Sequence, residues 1–71
     1  MADVNLAQVI DEMLTAPPQS LELVYRVSSE AIAGGVDVAY HERIIWLLEQ
    51  VAERRGLVWR DDGMGMRLYR V

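Results

Sequence analysis

Residues 37–71 read DVAYHERIIWLLEQVAERRGLVWRDDGMGMRLYRV, and this half of the chain decides the fold. Within IIWLLEQV the apolar residues recur three and four positions apart, which is the spacing of one buried helix face. The pattern predicts a long helix over 38–55, ended by the glycine that follows. Apolar and polar residues then alternate over 57–71 on both sides of DDGMG, a turn-forming segment, and this predicts a β-hairpin.

The pairing of the hairpin strands follows from the position of the turn. If the Asp-Gly at 62–63 forms a two-residue turn, Trp59 faces Met66 and Leu57 faces Leu68. These apolar side chains would then share one face of the hairpin. Because an isolated hairpin is marginal in water, that face must pack against helices or a further strand.

The N-terminal half supplies the remaining elements. Residues 4–15 have helical apolar spacing and are followed by two prolines, so we expect a helix that ends there. The segment SLELVYRV alternates with the period of a strand, and we favour a strand over 22–27 followed by a short helix over 28–34. Some of the same apolar residues also fit a single helix over 20–33, which is the alternative.

Composition places the chain among small globular proteins. Its 71 residues are 52% hydrophobic and 25% charged, which fits one domain. A domain this small is readily completed by a second copy or a partner, so we expect a homodimer or part of a complex. Residues 1–35 are acidic, whereas acids and arginines balance over 36–71, and the net charge is −4. Cysteine is absent, and we find no secretion signal and no apolar run of ~18 residues. We therefore expect a cytoplasmic protein.

Two passages carry a family resemblance. VSSEAIAGGVDVAYHERI is similar to a helix-turn-helix core, and LLEQVAERRGLVWR resembles the end of a recognition helix that runs into a wing. The second passage is similar to multiple-antibiotic-resistance-type repressors and to small phage-borne proteins. The resemblance implies a small α+β winged helix-turn-helix domain over 1–71, with three helices and a C-terminal hairpin wing. The glycine-containing turn at 34–37 is longer than is usual in the family.

The resemblance also implies a function, which is DNA binding in transcriptional control. The N-terminal part of the long helix would enter the major groove and the wing would lie against the DNA backbone. On this reading, the nucleic-acid-binding residues are Tyr40, His41, Arg43, Arg60 and Arg67. Further arginines, Arg54, Arg55 and Arg70, would add phosphate contacts.

A second class of function stays open, a winged helix that binds protein, such as a phage-type inhibitor or a nucleic-acid mimic. Trp46 falls beside the main apolar stripe; it either packs under the first helix, the commoner outcome, or anchors an interface. Met64 and Met66 at the wing tip would add adaptable contacts. With one histidine and no cysteine, the sequence offers no catalytic or metal-ligating pattern, so we expect neither an enzyme nor a cofactor.

Overall fold

Three helices are followed by a β-hairpin in the structure, a computed structural model that describes residues 6–71. The elements are α1 (Leu6–Thr15), α2 (Pro18–Ala33), α3 (Val38–Arg54), β1 (Leu57–Asp61) and β2 (Met66–Arg70). The predicted α+β class, with three helices and a C-terminal hairpin, is confirmed. The order of elements is consistent with the layout of a small winged helix.

The segment between the prolines and the glycines is one helix, so the strand favoured over 22–27 is wrong and the helix over 28–34 is only the end of α2. The alternative, a helix over 20–33, is close to the observed bounds. The inward-facing residues of α2, Leu21, Tyr25 and Ser28, have helical spacing. Proline is tolerated in the first turn of a helix, because the amide there has no helical partner.

The other two helices begin and end near their predicted bounds. Of the predicted helix 4–15, the described part is helical, while residues 4–5 lie outside the described residues. The long helix ends at Arg54 rather than at residue 55. Gly56, two residues after Arg54, has a φ of 68°, a left-handed conformation that suits glycine. Asp37 precedes α3 with a φ of 44°, and its side chain makes no capping hydrogen bond.

Helix α3 forms the centre of the molecule. Leu48 is fully buried on it, and Val51 is 2% exposed. Side chains from α1 and α2, represented by Met13 and Leu21, complete the same cluster. Each fully buried aliphatic side chain contributes ~1.5–3 kcal/mol relative to an exposed one. One apolar cluster around α3 therefore holds the helices and the hairpin together.

The hairpin strands are antiparallel, with Trp59 opposite Leu68 and Leu57 opposite Arg70. The predicted pairing of Trp59 with Met66, and of Leu57 with Leu68, is therefore wrong by two residues. Side chains along a strand alternate with a period of two, so a shift of two keeps each side chain on its predicted face. Accordingly, Trp59 and Leu68 both pack against the core.

The register differs because the loop spans residues 62–65 instead of a two-residue turn. Asp61 Oδ1 accepts the backbone N–H of Gly63 at 2.8 Å, and Asp62 Oδ1 accepts the N–H of Met64 at 2.8 Å. Aspartate commonly bonds the backbone two residues ahead in this way and so stabilises a turn. Both aspartates shape the wing tip, which consequently carries two carboxylates.

Polar and aromatic contacts fix the hairpin to the helices. Trp59 Nε1 donates to the backbone carbonyl of Leu48 on α3 at 3.1 Å, and its ring lies 4.6 Å from that of Tyr25 on α2. Glu22 Oε2 accepts the backbone N–H of Leu68 at 2.8 Å. The hairpin is thus anchored to α3 through β1 and to α2 through β2.

Candidate interaction surfaces

The residues predicted on the N-terminal half of α3 have two different surroundings. Tyr40 is 45% exposed, and Arg43 is exposed with no ion pair within residues 6–71. His41 is half-buried, and its Nδ1 lies 3.1 Å from Ser28 Oγ on α2. A hydrogen bond between these atoms joins α2 to α3. Tyr40 and Arg43 therefore remain at the surface, whereas His41 is turned towards the helix contact.

The two wing arginines also differ. Arg67 Nε lies 3.3 Å from Asp62 Oδ2, and Arg67 Nη1 lies 3.9 Å from Glu22 Oε1. Arg60 is opposite Arg67 in the sheet and is exposed; it forms no ion pair with another described residue. Carboxylates thus offset the charge of Arg67 locally, whereas the charge of Arg60 is not offset by an ion pair within residues 6–71.

Arg55 has a structural role in place of the expected phosphate contact. Its Nη1 donates to the carbonyl of Met13 at 3.0 Å and to the carbonyl of Ala16 at 2.7 Å. These carbonyls lie at the end of α1, where helical acceptors lack helical donors. The signal was present in the sequence, since Arg55 follows Leu48 by seven residues and Val51 by four. It therefore falls on the buried stripe, while its neighbour Arg54 is exposed.

The outer face of α3 is the surface that points away from the core. Its exposed residues are spaced three and four apart and are Ala39, Glu42, Arg43, Trp46, Glu49, Gln50 and Glu53. Trp46 lies at the centre of this face with 51% of its surface exposed, so the expected packing of Trp46 under the first helix is not observed. Beside it runs a shallow groove of about 150 Å³, bordered by Ile10 of α1 and Arg54. The indole and this groove are within reach of a partner.

The outer face is acidic. Three carboxylates, those of Glu42, Glu49 and Glu53, share it with one guanidinium, that of Arg43. A helix that lies in a DNA groove has phosphates on both sides, and carboxylates oppose their approach. The charge of this face is therefore complementary to a surface of basic or mixed charge.

The two wing methionines lie in different environments. Met64 is at the tip and is 85% exposed. Met66 is half-buried and lines a groove against α2, with Leu23 and Arg26 on the opposite side. Met64 lines the same groove, so the two methionines differ in exposure but remain neighbours. Met64 alone of the two presents most of its side chain to solvent.

A second apolar surface lies between the three helices and was not predicted. A groove of about 450 Å³ runs between α1 and α2, with Val24 and Val27 on one wall and Val9 on the other, and it reaches Tyr40 and His41. Val27 is 51% exposed. Sequence reasoning missed this surface because it treated 22–27 as a strand, which places alternate side chains on opposite faces.

Tyr25 has a perturbed environment at the junction of α2 and the hairpin. Burial raises the pKa of its phenol above the ordinary value of 10.0, and the negative charge of Glu49 raises it further. Both effects disfavour the phenolate. The phenol of Tyr25, whose ring packs against that of Trp59, therefore stays neutral to a higher pH than an exposed tyrosine does.

The described part of the chain holds no group of three or more histidine, cysteine or acidic side chains placed to bind a metal ion. Over the same residues, no helix is both long enough and apolar enough to cross a bilayer. No protein-family model, curated protein or solved structure matches this chain.

Proposed function

We propose that this protein is a non-catalytic binding module of winged-helix layout that recognises a protein partner through the outer face of α3. The observation that carries the proposal is the half-exposed Trp46 at the centre of that face. Tryptophan is enriched among the residues that dominate binding energy, and such residues cluster near the centre of an interface.

The surroundings of Trp46 support this role. A tryptophan removes ~150–250 Å² from water when it is buried, so a partner that covered the exposed half of Trp46 would gain affinity from that burial. The neighbouring groove beside Ile10 offers space for an apolar side chain of the partner. Charged residues surround the indole, as in interfaces where a polar rim encloses an apolar centre.

Charge also supports a protein partner. Glu42, Glu49 and Glu53 give the outer face an excess of carboxylates over the guanidinium of Arg43. A basic or mixed surface complements this pattern, and electrostatic complementarity raises association rates and specificity.

A paired substitution tests the proposal. Trp46→Ala removes the proposed anchor, and Tyr69→Ala is the matched control, since Tyr69 is 43% exposed but lies on the hairpin. We expect Trp46→Ala to weaken binding of proteins captured from the encoding cell by at least ~2 kcal/mol, and Tyr69→Ala to leave it nearly unchanged. Equal capture by both variants, quantified by mass spectrometry and calorimetry on the purified partner, would count against Trp46. Light scattering on the same variants shows whether the partner is a second copy.

DNA binding in transcriptional control is the second candidate, and a specific observation favours it. Arg43 and Arg60 are exposed without an ion pair to any residue that the structure describes, and Tyr40 lies exposed near Arg43 on α3. Arginine suits bidentate contact with guanine, and a homodimer would present two such helices. Fluorescence anisotropy with mixed duplex DNA tests this candidate. Binding that falls steeply with salt and is weakened by Arg43→Ala would favour DNA over a protein partner.

A further inference from the structure

The backbone N–H groups of β1 point alternately into the hairpin and away from it. The N–H of Val71 donates to the carbonyl of Gly56, and the N–H of Asp62 donates to that of Gly65, which fixes the two ends of the ladder. Hydrogen-bonded pairs alternate along an antiparallel ladder, so Val58 with Tyr69, and Arg60 with Arg67, bond inside the hairpin. The backbone groups of the residues between them point outward.

The two outer edges of this sheet are not equivalent. On β2, the outward N–H groups belong to Met66, Leu68 and Arg70; that of Leu68 donates to Glu22 Oε2 on α2, and the other two have no partner within residues 6–71. On β1, the outward N–H groups belong to Leu57, Trp59 and Asp61, and none of them has a partner within residues 6–71. A row of unpaired strand amides is a template for an added strand. The β1 edge is therefore open.

A groove lies along the open edge. It holds about 370 Å³ between α3 and the hairpin, and Leu57, Val58 and Trp59 form one side of it. Its other side is α3, where Ala52 lies between the carboxylates of Glu49 and Glu53. The groove therefore combines strand amides, an apolar floor and two negative charges.

We propose that the β1 edge binds an extended, basic peptide segment of a partner protein by strand addition. Main-chain hydrogen bonds to β1 would supply the affinity, and arginine or lysine side chains would meet Glu49 and Glu53. A second copy of this chain fits less well, because pairing two β1 strands about a two-fold axis puts both sets of these carboxylates on one side of the joined sheet. The inference rests on the proposed function in requiring a protein partner; it shares Glu49 and Glu53 with the outer face of α3 but depends on the β1 amides instead of Trp46.

Short peptides test the edge directly on the unmodified protein. The probe is a fluorescein-labelled, acetylated Val-Arg-Val-Arg-Val-Arg amide, compared with its Val-Glu counterpart. We expect the basic peptide to bind and the acidic one not to bind. We also expect bound basic peptide to slow amide hydrogen exchange at Leu57, Trp59 and Asp61 by at least roughly tenfold, and to leave Val58 and Arg60 unchanged.

Two controls separate strand addition from charge attraction. N-methylation of all the valine amides blocks hydrogen bonding along one edge of the extended peptide. N-methylation of all the arginine amides blocks the opposite edge. One of these isomers should lose binding and the other should keep it. On the protein, the double change Glu49→Gln and Glu53→Gln should weaken binding about tenfold, while Glu30→Gln, an exposed acid on α2, should have little effect.

Several results would overturn the inference. These are equal binding of both N-methylated isomers, equal binding of the acidic peptide, no binding, or slowed exchange confined to the helix groove at Val24 and Val27. Self-association that slows exchange at the β1 amides would assign the edge to a second copy instead. The two proposals can fail separately. Trp46→Ala can leave partner capture unchanged while the basic peptide binds β1, or it can abolish partner capture while the peptide does not bind.

Discussion

Replacing Arg55 with methionine should destabilise the protein far more than the same change at its neighbour Arg54. The Arg55 guanidinium donates to the carbonyls of Met13 and Ala16 at the end of α1, whereas Arg54 is exposed. Both residues lie at the C-terminal end of α3, where a positive charge contributes ~0.3–1 kcal/mol through the helix dipole. The difference in free energy of unfolding between the two variants therefore cancels the shared dipole contribution and reports the two hydrogen bonds of Arg55.

The expected magnitude follows from those bonds. A hydrogen bond that involves a charged group contributes ~1.5–3 kcal/mol. Water can replace part of each bond, because both contacts are only partly buried. We therefore expect Arg55→Met to lower the free energy of unfolding by about 2–4 kcal/mol and Arg54→Met by under about 1 kcal/mol. For a domain of this size, the first change lowers Tm by roughly 10–25 °C.

Urea denaturation followed by circular dichroism gives both free energies, and calorimetry gives Tm. Amide hydrogen exchange gives a local measurement. Loss of the Arg55 contact should raise exchange rates throughout α1 under conditions in which α3 is still protected. If Arg55→Met and Arg54→Met destabilise the protein equally, the contact between Arg55 and α1 contributes nothing to stability, which contradicts the role assigned to Arg55.

Three further predictions concern the core, the backbone and pH. Leu48→Ala should lower the free energy of unfolding by ~2–5 kcal/mol in urea titrations, because Leu48 is fully buried; a loss below that range would contradict its core position. Gly56→Ala should cost ~1–2 kcal/mol at its φ of 68°, although an added Cβ meets no atom there. Gly34→Ala has ordinary contacts and a φ of −85°, so it should be neutral or stabilising in the same titrations. Because the pKa of Tyr25 is raised above 10.0, the folded state holds that proton more tightly, and stability is lost as pH rises from 10 through the folded pKa. Tyr25→Phe should flatten this alkaline decline relative to the wild type, and an unchanged slope would count against the assignment.

Much of the fold was predictable because α3 and the hairpin have strong local signals. The stripe that ends at Val51 has helical spacing over several turns, and the hairpin alternates around a glycine-containing turn. Residues 20–27 were harder, since their apolar residues fit both periods. Burial decides between them: Leu21 and Ser28 are buried together at a spacing of seven, which suits a helix. The Glu22 carboxylate then takes a backbone N–H that a third strand would have taken.

The candidate sites were less predictable, because they depend on how helices pack. The sequence places Trp46 beside the main stripe, but the position of α1 determines whether the indole is covered. The two-residue turn prediction failed because Asp61 and Asp62 each bond the backbone two residues ahead, and these bonds stabilise a longer loop. The open edge of β1 depends on the ladder register, and that register follows from these loop bonds instead of from the Asp-Gly dipeptide alone.

The contact between Glu22 and Leu68 has a consequence for assembly. It occupies the central outward N–H of the β2 edge with a side chain of α2. Two sheets that met through their β1 strands would present this partly occupied β2 edge at each end of a four-stranded sheet. A third strand could pair there only by displacing the Glu22 carboxylate, so this one side chain would oppose further growth of the sheet.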